Sequence, residues 1–343
     1  MPSPESREGR VAQQSWWRGW LERVRGLLHP PAAAGRWVDG HAFSLHGLVG
    51  FRPWVFPRRR YRLYLPKGWS RAKAAPLVAL IHGCRQSAED FARGTRIEDA
   101  ADRTGVVVLM PHQKDGANPW RCWNWFDRRT ADGRGEAAIV AAMVRKVAGK
   151  HGIDRERIVA AGMSSGAALA AAIGLHHPAL VRGVFAHSGI ACGAAASAFT
   201  ALTVMRRGPE TDVAAIARTA RAAATGAPPV ALFVVQGGDD DTVSKLHADA
   251  LARQYLAFNG LDVPPGANTT LPEPAATARD MPAPDRLVRT REWQRDGLTL
   301  VRVVDVAGVG HAWSGGDASL PFHAPGPPDA TALLVDWAVA PGR

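Results

Sequence analysis

From about residue 60 the chain alternates short apolar runs with longer helix-like segments, and this pattern constrains its fold more than any other feature. The runs "PLVALIHG", "VVVLMP", "RIVAAGM", "RGVFAHSG" and "PVALFVVQG" are continuous in hydrophobicity and end in turn residues. Strands of that kind are covered on both faces, as in a mainly parallel sheet flanked by helices. Between them, "SAEDFARGTRIEDAADRTG" reads as a helix with Ser87 as N-cap and Gly105 as terminator. "EAAIVAAMVRKVAGKHG", "SGAALAAAIGLHHP" and "VSKLHADALARQYLAFNG" read as further helices. "LVRTREWQ" and "LTLVRVVDV" suggest a hairpin, and "DATALLVDWAVA" a last helix. Residues 112–135 form a long aromatic loop, residues 190–228 an alanine-rich insertion with weak strand signals, and residues 262–285 a Pro/Thr-rich loop. The expectation is one α/β domain over residues 35–343, with a small insertion over its site, preceded by an appendage over residues 1–34.

With 343 residues, 46% hydrophobic and 21% charged, the chain can bury a sizeable core. No apolar run approaches the roughly 20 residues that span a bilayer. The N-terminus lacks the apolar stretch and cleavage site of a secretory signal, so a cytoplasmic location is expected. A net charge of +11 raises the question of nucleic acid, but the basic residues are dispersed, so no nucleic-acid partner is expected. Cys84, Cys122 and Cys192 show no metal-ligand spacing, and neither a metal nor an organic cofactor is expected.

The strand "RIVAAGM" runs into Gly162-Met163-Ser164-Ser165-Gly166 and then into an alanine-rich helix. Gly-x-Ser-x-Gly at such a junction marks a sharp turn that exposes one hydroxyl, here that of Ser164. A serine needs an adjacent base oriented by a carboxylate before it acts as a nucleophile. Farther on, carboxylates follow the strand "VALFVVQG" at Asp239-Asp240-Asp241, and His311 follows "LTLVRVVDV" in a glycine-rich loop. Serine, acid and histidine thus occur in the chain order of α/β-hydrolases, each just after a strand. The backbone N–H groups of Cys84, in the loop after "PLVALIHG", and of Ser165 are the candidate donors to an oxyanion.

Five ordered motifs, "LIHGCRQSAEDF", "NPWRCWNWF", "HGIDRERIVAAGMSSGAAL", "QGGDDDTV" and "GVGHAWSGG", resemble the poly(3-hydroxybutyrate) depolymerase-type esterases of the α/β-hydrolase superfamily. The resemblance covers about residues 35–340. It departs from the commoner Gly-x-Ser-x-Gly-Gly form only by Ala167 after Gly166. It implies an α/β-hydrolase fold and a serine esterase acting on short-chain hydroxyalkanoate polyesters or oligomers. Feruloyl, acetylxylan or general short-chain esters are the alternative substrates, and a granule-surface binding protein is the non-enzymatic alternative. The family pattern Gly-x-x-Asp-x-x-Val selects Asp240, through Gly237 and Val243, over Asp239 and Asp241. The resemblance also implies that Cys84 and Cys122 lie close together, as a disulfide or as a thiol pair.

Trp123, Asn124 and Trp313 are the expected substrate-binding wall, with Trp125 and Phe126 assigned to the core. In "SWWRGWLERVRGLL", Trp17, Trp20, Leu21, Val24, Leu27 and Leu28 recur at helical spacing among arginines. Residues 15–28 thus read as a basic amphipathic helix, suited to a polyester granule or membrane surface, or packed on the domain itself.

Overall fold

The computed structural model describes residues 32–44, 58–267, 270–283 and 286–341. The candidate surface helix over residues 15–28 lies outside them. The described chain is built on one ten-stranded sheet, β1 (Arg36–Phe43), β2 (Arg58–Leu65), β3 (Ala75–Ile81), β4 (Val107–Pro111), β5 (Ile153–Met163), β6 (Gly183–His187), β7 (Ala231–Gly237), β8 (Ala276–Ala283), β9 (Arg286–Arg295) and β10 (Leu298–Val306), in spatial order β1-β2-β4-β3-β5-β6-β7-β10-β9-β8. The strands from β4 through β10 in that order pair in parallel. The pairs β1–β2, β2–β4, β10–β9 and β9–β8 are antiparallel.

The continuous apolar runs follow from two covered faces. Leu77, Ala79 and Ile81 of β3 face helices α4 (Gly135–Lys150), α5 (Ser165–His176) and α8 (Leu246–Phe258). Val78 and Leu80 point the other way, toward α1 (Ala88–Thr95), α2 (Ile97–Thr104) and α9 (Ala330–Val339). Each such fully buried Leu or Val contributes about 1.5–3 kcal/mol relative to exposure. Alanine dominates α5 because that helix is buried almost all round: Tyr255 of α8 hydrogen-bonds its Ala171 carbonyl at 2.9 Å.

Four local expectations change. The segment 87–105 forms two helices, because Arg96 adopts a left-handed conformation (φ 52°) between α1 and α2; Ser87 caps the first and Gly105 ends the second. The long loop 112–135 carries one short helix, α3 (Arg128–Ala131). The alanine-rich insertion folds as helices α6 (Ala198–Arg207) and α7 (Val213–Ala223), capped by Ser197 and Asp212. Part of the loop 262–285 is strand β8, which extends the hairpin of β9 and β10.

Candidate active site

Four strands that are near neighbours in the sheet deliver the candidate residues at their carboxyl ends. β3 leads to His82-Gly83-Cys84, β5 to Ser164, β7 to Asp240 and β10 to His311. Open α/β sheets place their sites at that edge.

Ser164 has φ 55° and ψ −122°, a conformation that non-glycine residues avoid. The turn is held by its N–H donating to His187 O at 3.0 Å and its carbonyl accepting from Ala168 N–H at 3.0 Å. The flanking glycines are required by space. A Cβ on Gly162 would lie 2.6 Å from the Gly166 carbonyl carbon and 2.7 Å from Ile81 O. One on Gly166 would collide with Ile81 O and sit 2.5 Å from His82 O. The spacing Gly-x-Ser-x-Gly thus brings helix α5 tight against the end of β3.

The acid and the base are joined by their loops. Gly238 N–H donates to Val306 O at 2.8 Å and Asp239 N–H to Val309 O at 3.0 Å. These bonds bring His311 Nδ1 within 2.9 Å of Asp240 Oδ2. Since a carboxylate only accepts, Nδ1 carries the proton and Nε2 is left with a free lone pair. The other oxygen, Oδ1, accepts from the N–H groups of Thr242 (3.0 Å) and Val243 (2.8 Å), and Gln236 Nε2 reaches Oδ2 at 3.3 Å. The Asp240 side chain is fully buried, whereas Asp239 and Asp241 are exposed. Burial raises the Asp240 carboxyl, but hydrogen bonds from His311, Val243 N–H and the Ser188 hydroxyl outweigh it and hold the group below the usual carboxylate range. Such an acid stays ionised and fixes the imidazole.

Cys84 and Cys122 form a disulfide, which ties the loop after β3 to the long aromatic loop. The two loops are also joined by Arg85 N–H donating to Trp120 O at 2.8 Å. Ser165 Oγ–H donates to Cys84 Sγ at 3.4 Å, because a disulfide sulfur has no hydrogen to give. Among the described residues, the N–H groups of Cys84 and Ser165 have no hydrogen-bond partner. Behind this loop His82 is buried and pushed down to about 4 by burial. Its neutral ring donates from Nδ1 to Gly83 O at 2.8 Å and accepts Gln113 N–H at Nε2 (3.3 Å).

Ser164 and His311 line one cavity of about 720 Å³ together with Cys84 and Ser165. No hydrogen bond joins Ser164 Oγ to His311 among the described residues, a looseness common in sites without substrate. The cavity walls are mostly apolar: Trp125, Phe126, Met163 and Phe322 inside, Trp120, Phe199 and Leu202 toward the mouth. Phe199 is 95% exposed, Leu202 58% and Trp120 49%. Helix α6, which carries Phe199 and Leu202, is held over the site by Ser244 N–H on Met205 O (2.8 Å) and His247 Nε2 on Val204 O (2.8 Å).

The expected substrate wall requires correction. Trp123 is fully buried behind the cavity and packs on His82 at 5.5 Å. Trp313 is fully buried against Phe91, Phe185 and His187, with Nε1–H on Thr331 Oγ1 at 2.9 Å, so it supports the loop of His311 from the core side. Asn124 is taken up structurally, its N–H and Nδ2 donating to the buried Glu136 at 2.7 and 3.1 Å. Trp125 is buried in the core with Phe126 packed against that core, as assigned, and both also line the cavity.

The strand order, the crossing helices and the carboxyl-end loops define the α/β-hydrolase fold. An acetyl xylan esterase from Aspergillus awamori shares it, with a TM-score of 0.60 at 18% identity over 80% of this chain and 94% of that one. An S-formylglutathione hydrolase from Staphylococcus aureus aligns with a TM-score of 0.53 at 14% identity, over 90% and 98%. Residues 59–271, more than half of the chain, match the family described as Esterase PHB depolymerase, and the chain belongs to that family. Among curated proteins it is similar to the poly(3-hydroxyalkanoate) depolymerase C of Paucimonas lemoignei, 26% identical over 69% of this chain and 55% of that protein. It is also similar to a feruloyl esterase B of Thermothelomyces thermophilus, 30% identical over 37% of this chain and 43% of that one. The chain spans about half the length of these curated relatives.

Proposed function

We propose that this protein is a serine esterase that cleaves short-chain polyhydroxyalkanoate, poly(3-hydroxybutyrate) or its oligomers, through an acyl-enzyme. The observation that carries the reading is the buried Asp240–His311 pair opening on the same apolar cavity as the strained Ser164 turn. Ser164 Oγ attacks the ester carbonyl while His311 Nε2 takes its proton and returns it to the leaving alcohol. Asp240 keeps the imidazole in the tautomer that makes this possible. The N–H groups of Cys84 and Ser165 hold the oxyanion, and water then releases the acid. No metal or cofactor takes part in these steps.

The polyester substrate is favoured by the family match and by the apolar cavity with its exposed Phe199, Leu202 and Trp120 at the mouth. A surface of that kind suits contact with an apolar chain or particle. The feruloyl and acetylxylan esterases among the relatives support plant-type esters as the second reading. Residues 15–28 are proposed to dock the enzyme on polyester granules or membrane; deleting residues 1–30 should abolish granule binding while activity on soluble esters persists. Unchanged granule association would sink that assignment.

The deciding experiment is release of 3-hydroxybutyrate from amorphous polyhydroxybutyrate particles by the wild type and by Ser164→Ala. Release by the wild type alone is expected. No release from particles, beside cleavage of a soluble butyrate ester, would move the reading to an oligomer or plant-ester esterase.

A further inference from the structure

His187, the last residue of β6, and Ser188 after it are fully buried, and the reaction steps leave both side chains unused. Ser188 has φ 47°, a left-handed conformation that a glycine would adopt without strain, and its N–H is anchored on Val235 O at 2.9 Å. A serine kept in that conformation points to a use for its hydroxyl. The protons of the pair are fixed by their neighbours. His187 Nε2 accepts the Ser314 N–H at 3.1 Å, so that nitrogen is bare, and burial pushes the imidazole down to about 3, so the ring is neutral. The one ring proton therefore sits on Nδ1 and donates to Ser188 Oγ at 3.3 Å. The hydroxyl hydrogen of Ser188 then goes to the Asp240 carboxylate, which can only accept. The same pair reaches the other two members of the site. The His187 carbonyl accepts the Ser164 N–H at 3.0 Å, and the His187 ring stacks on Trp313, two residues after His311, at 5.0 Å and 25°.

We propose that Ser188, oriented by His187, is a positioning residue of the esterase: its hydroxyl shares the negative charge of Asp240 and fixes the carboxylate against His311. The inference rests on the serine esterase reading and deepens it, acting through Asp240 because both side chains are shut off from the cavity. Charge drawn toward the hydroxyl is charge withheld from the imidazolium that forms as Ser164 gives up its proton. The bond therefore sets the basicity of His311 as well as its orientation. Through the N–H groups of Ser164 and Ser314, the pair also ties the nucleophile turn and the histidine loop to one buried support.

The test is the pH profile of kcat/KM on a soluble butyrate ester, whose acidic limb reports the ionisation of the Asp240–His311 pair in the free enzyme. His187 and His323, the other titratable side chains of this cluster, are both held below the usual imidazole range by burial. Ser188→Gly removes the hydroxyl and takes up the φ of 47° without strain, so it should unfold near the wild-type temperature. Ser188→Ala removes the hydroxyl and keeps the strain. In both variants the carboxylate should hold the imidazolium more strongly, moving the acidic limb up by about half a pH unit or more. On the plateau, kcat should fall about three- to tenfold with KM close to wild type. An acidic limb that stays in place or moves down in Ser188→Gly, whatever its kcat, would overturn the inference and leave the pair a structural prop. A wild type inactive on the ester would overturn the esterase reading itself, and the inference with it.

Discussion

Replacing Asp240 by Asn removes one charge, and its consequences can be worked out atom by atom. The N–H groups of Thr242 and Val243 point at one oxygen from 3.0 and 2.8 Å, so the Asn oxygen must stay there. The new NH2 then takes the place of Oδ2, 2.9 Å from His311 Nδ1. As a donor it forces His311 to accept at Nδ1 and to carry its proton at Nε2, on the side of the cavity. The imidazole can no longer take a proton from Ser164, and kcat should fall about 10⁴-fold, or ~5.5 kcal/mol. Gln236 sharpens the conflict. Its Nε2 faces the same position at 3.3 Å while also donating to Gly237 O and Val243 O, and its Oε1 has no partner among the described residues. Turning that amide would satisfy the Asn but break the two backbone contacts, so a modest loss of stability should accompany the loss of rate. The assay is turnover of a soluble butyrate ester beside thermal unfolding, with Asp239→Asn and Asp241→Asn as controls that should stay close to wild type. An Asp240→Asn variant retaining a tenth of the activity, or a control that abolishes it, would refute the reasoning.

A Cβ on Gly166 would collide with Ile81 O and His82 O. Gly166→Ala should therefore cost about 1–3 kcal/mol and, by moving the Cys84 loop from Ser164, about 10²-fold in kcat; wild-type values in urea unfolding and turnover would contradict this. The Cys84–Cys122 bond closes a loop of sequence separation 38, so reduction should lower stability by about 4 kcal/mol, and denaturant midpoints that do not move with reductant would count against it. Burial pushes His82 and His247 down to about 4 and His187 to about 3, so all three are neutral when folded. The unfolded chain protonates them below about pH 6.5, so the stability they contribute is full above that pH and declines toward pH 4, by about 2 kcal/mol each at pH 5. Unfolding free energies equal at pH 7 and pH 5 would contradict that assignment.

The framework was legible because each β–loop junction carries its own signal. Buried strands read as apolar runs, and the crowding around Gly162 and Gly166 leaves a spacing that few other structures need. The pairing of Asp240 with His311 followed from chain order, but its cause lies in backbone bonds between two loops, which no local pattern encodes. The substrate wall was misread for a related reason. Composition shows that an aromatic residue lies near the site, not which way it points. Trp313 follows His311 by two residues yet faces the second core, while Trp125 and Phe126 belong to the core and still reach the cavity. Helix α6 did carry a helical signal, with Ala201 and Val204 buried three residues apart and Ser197 placed to cap it by accepting from Thr200 N–H, but its exposed Phe199 and Leu202 obscure the apolar face. Strand β8 forms where β9 offers an edge, a tertiary cause without local signature.

The most direct test of the account is to treat the folded protein with a fluorophosphonate and to map the adduct by mass spectrometry. The account predicts one adduct per chain, on the peptide and at the residue of Ser164, absent in Ser164→Ala and strongly slowed in Asp240→Asn. Labelling at Ser165, or a wild type that takes no label while remaining folded, would contradict it.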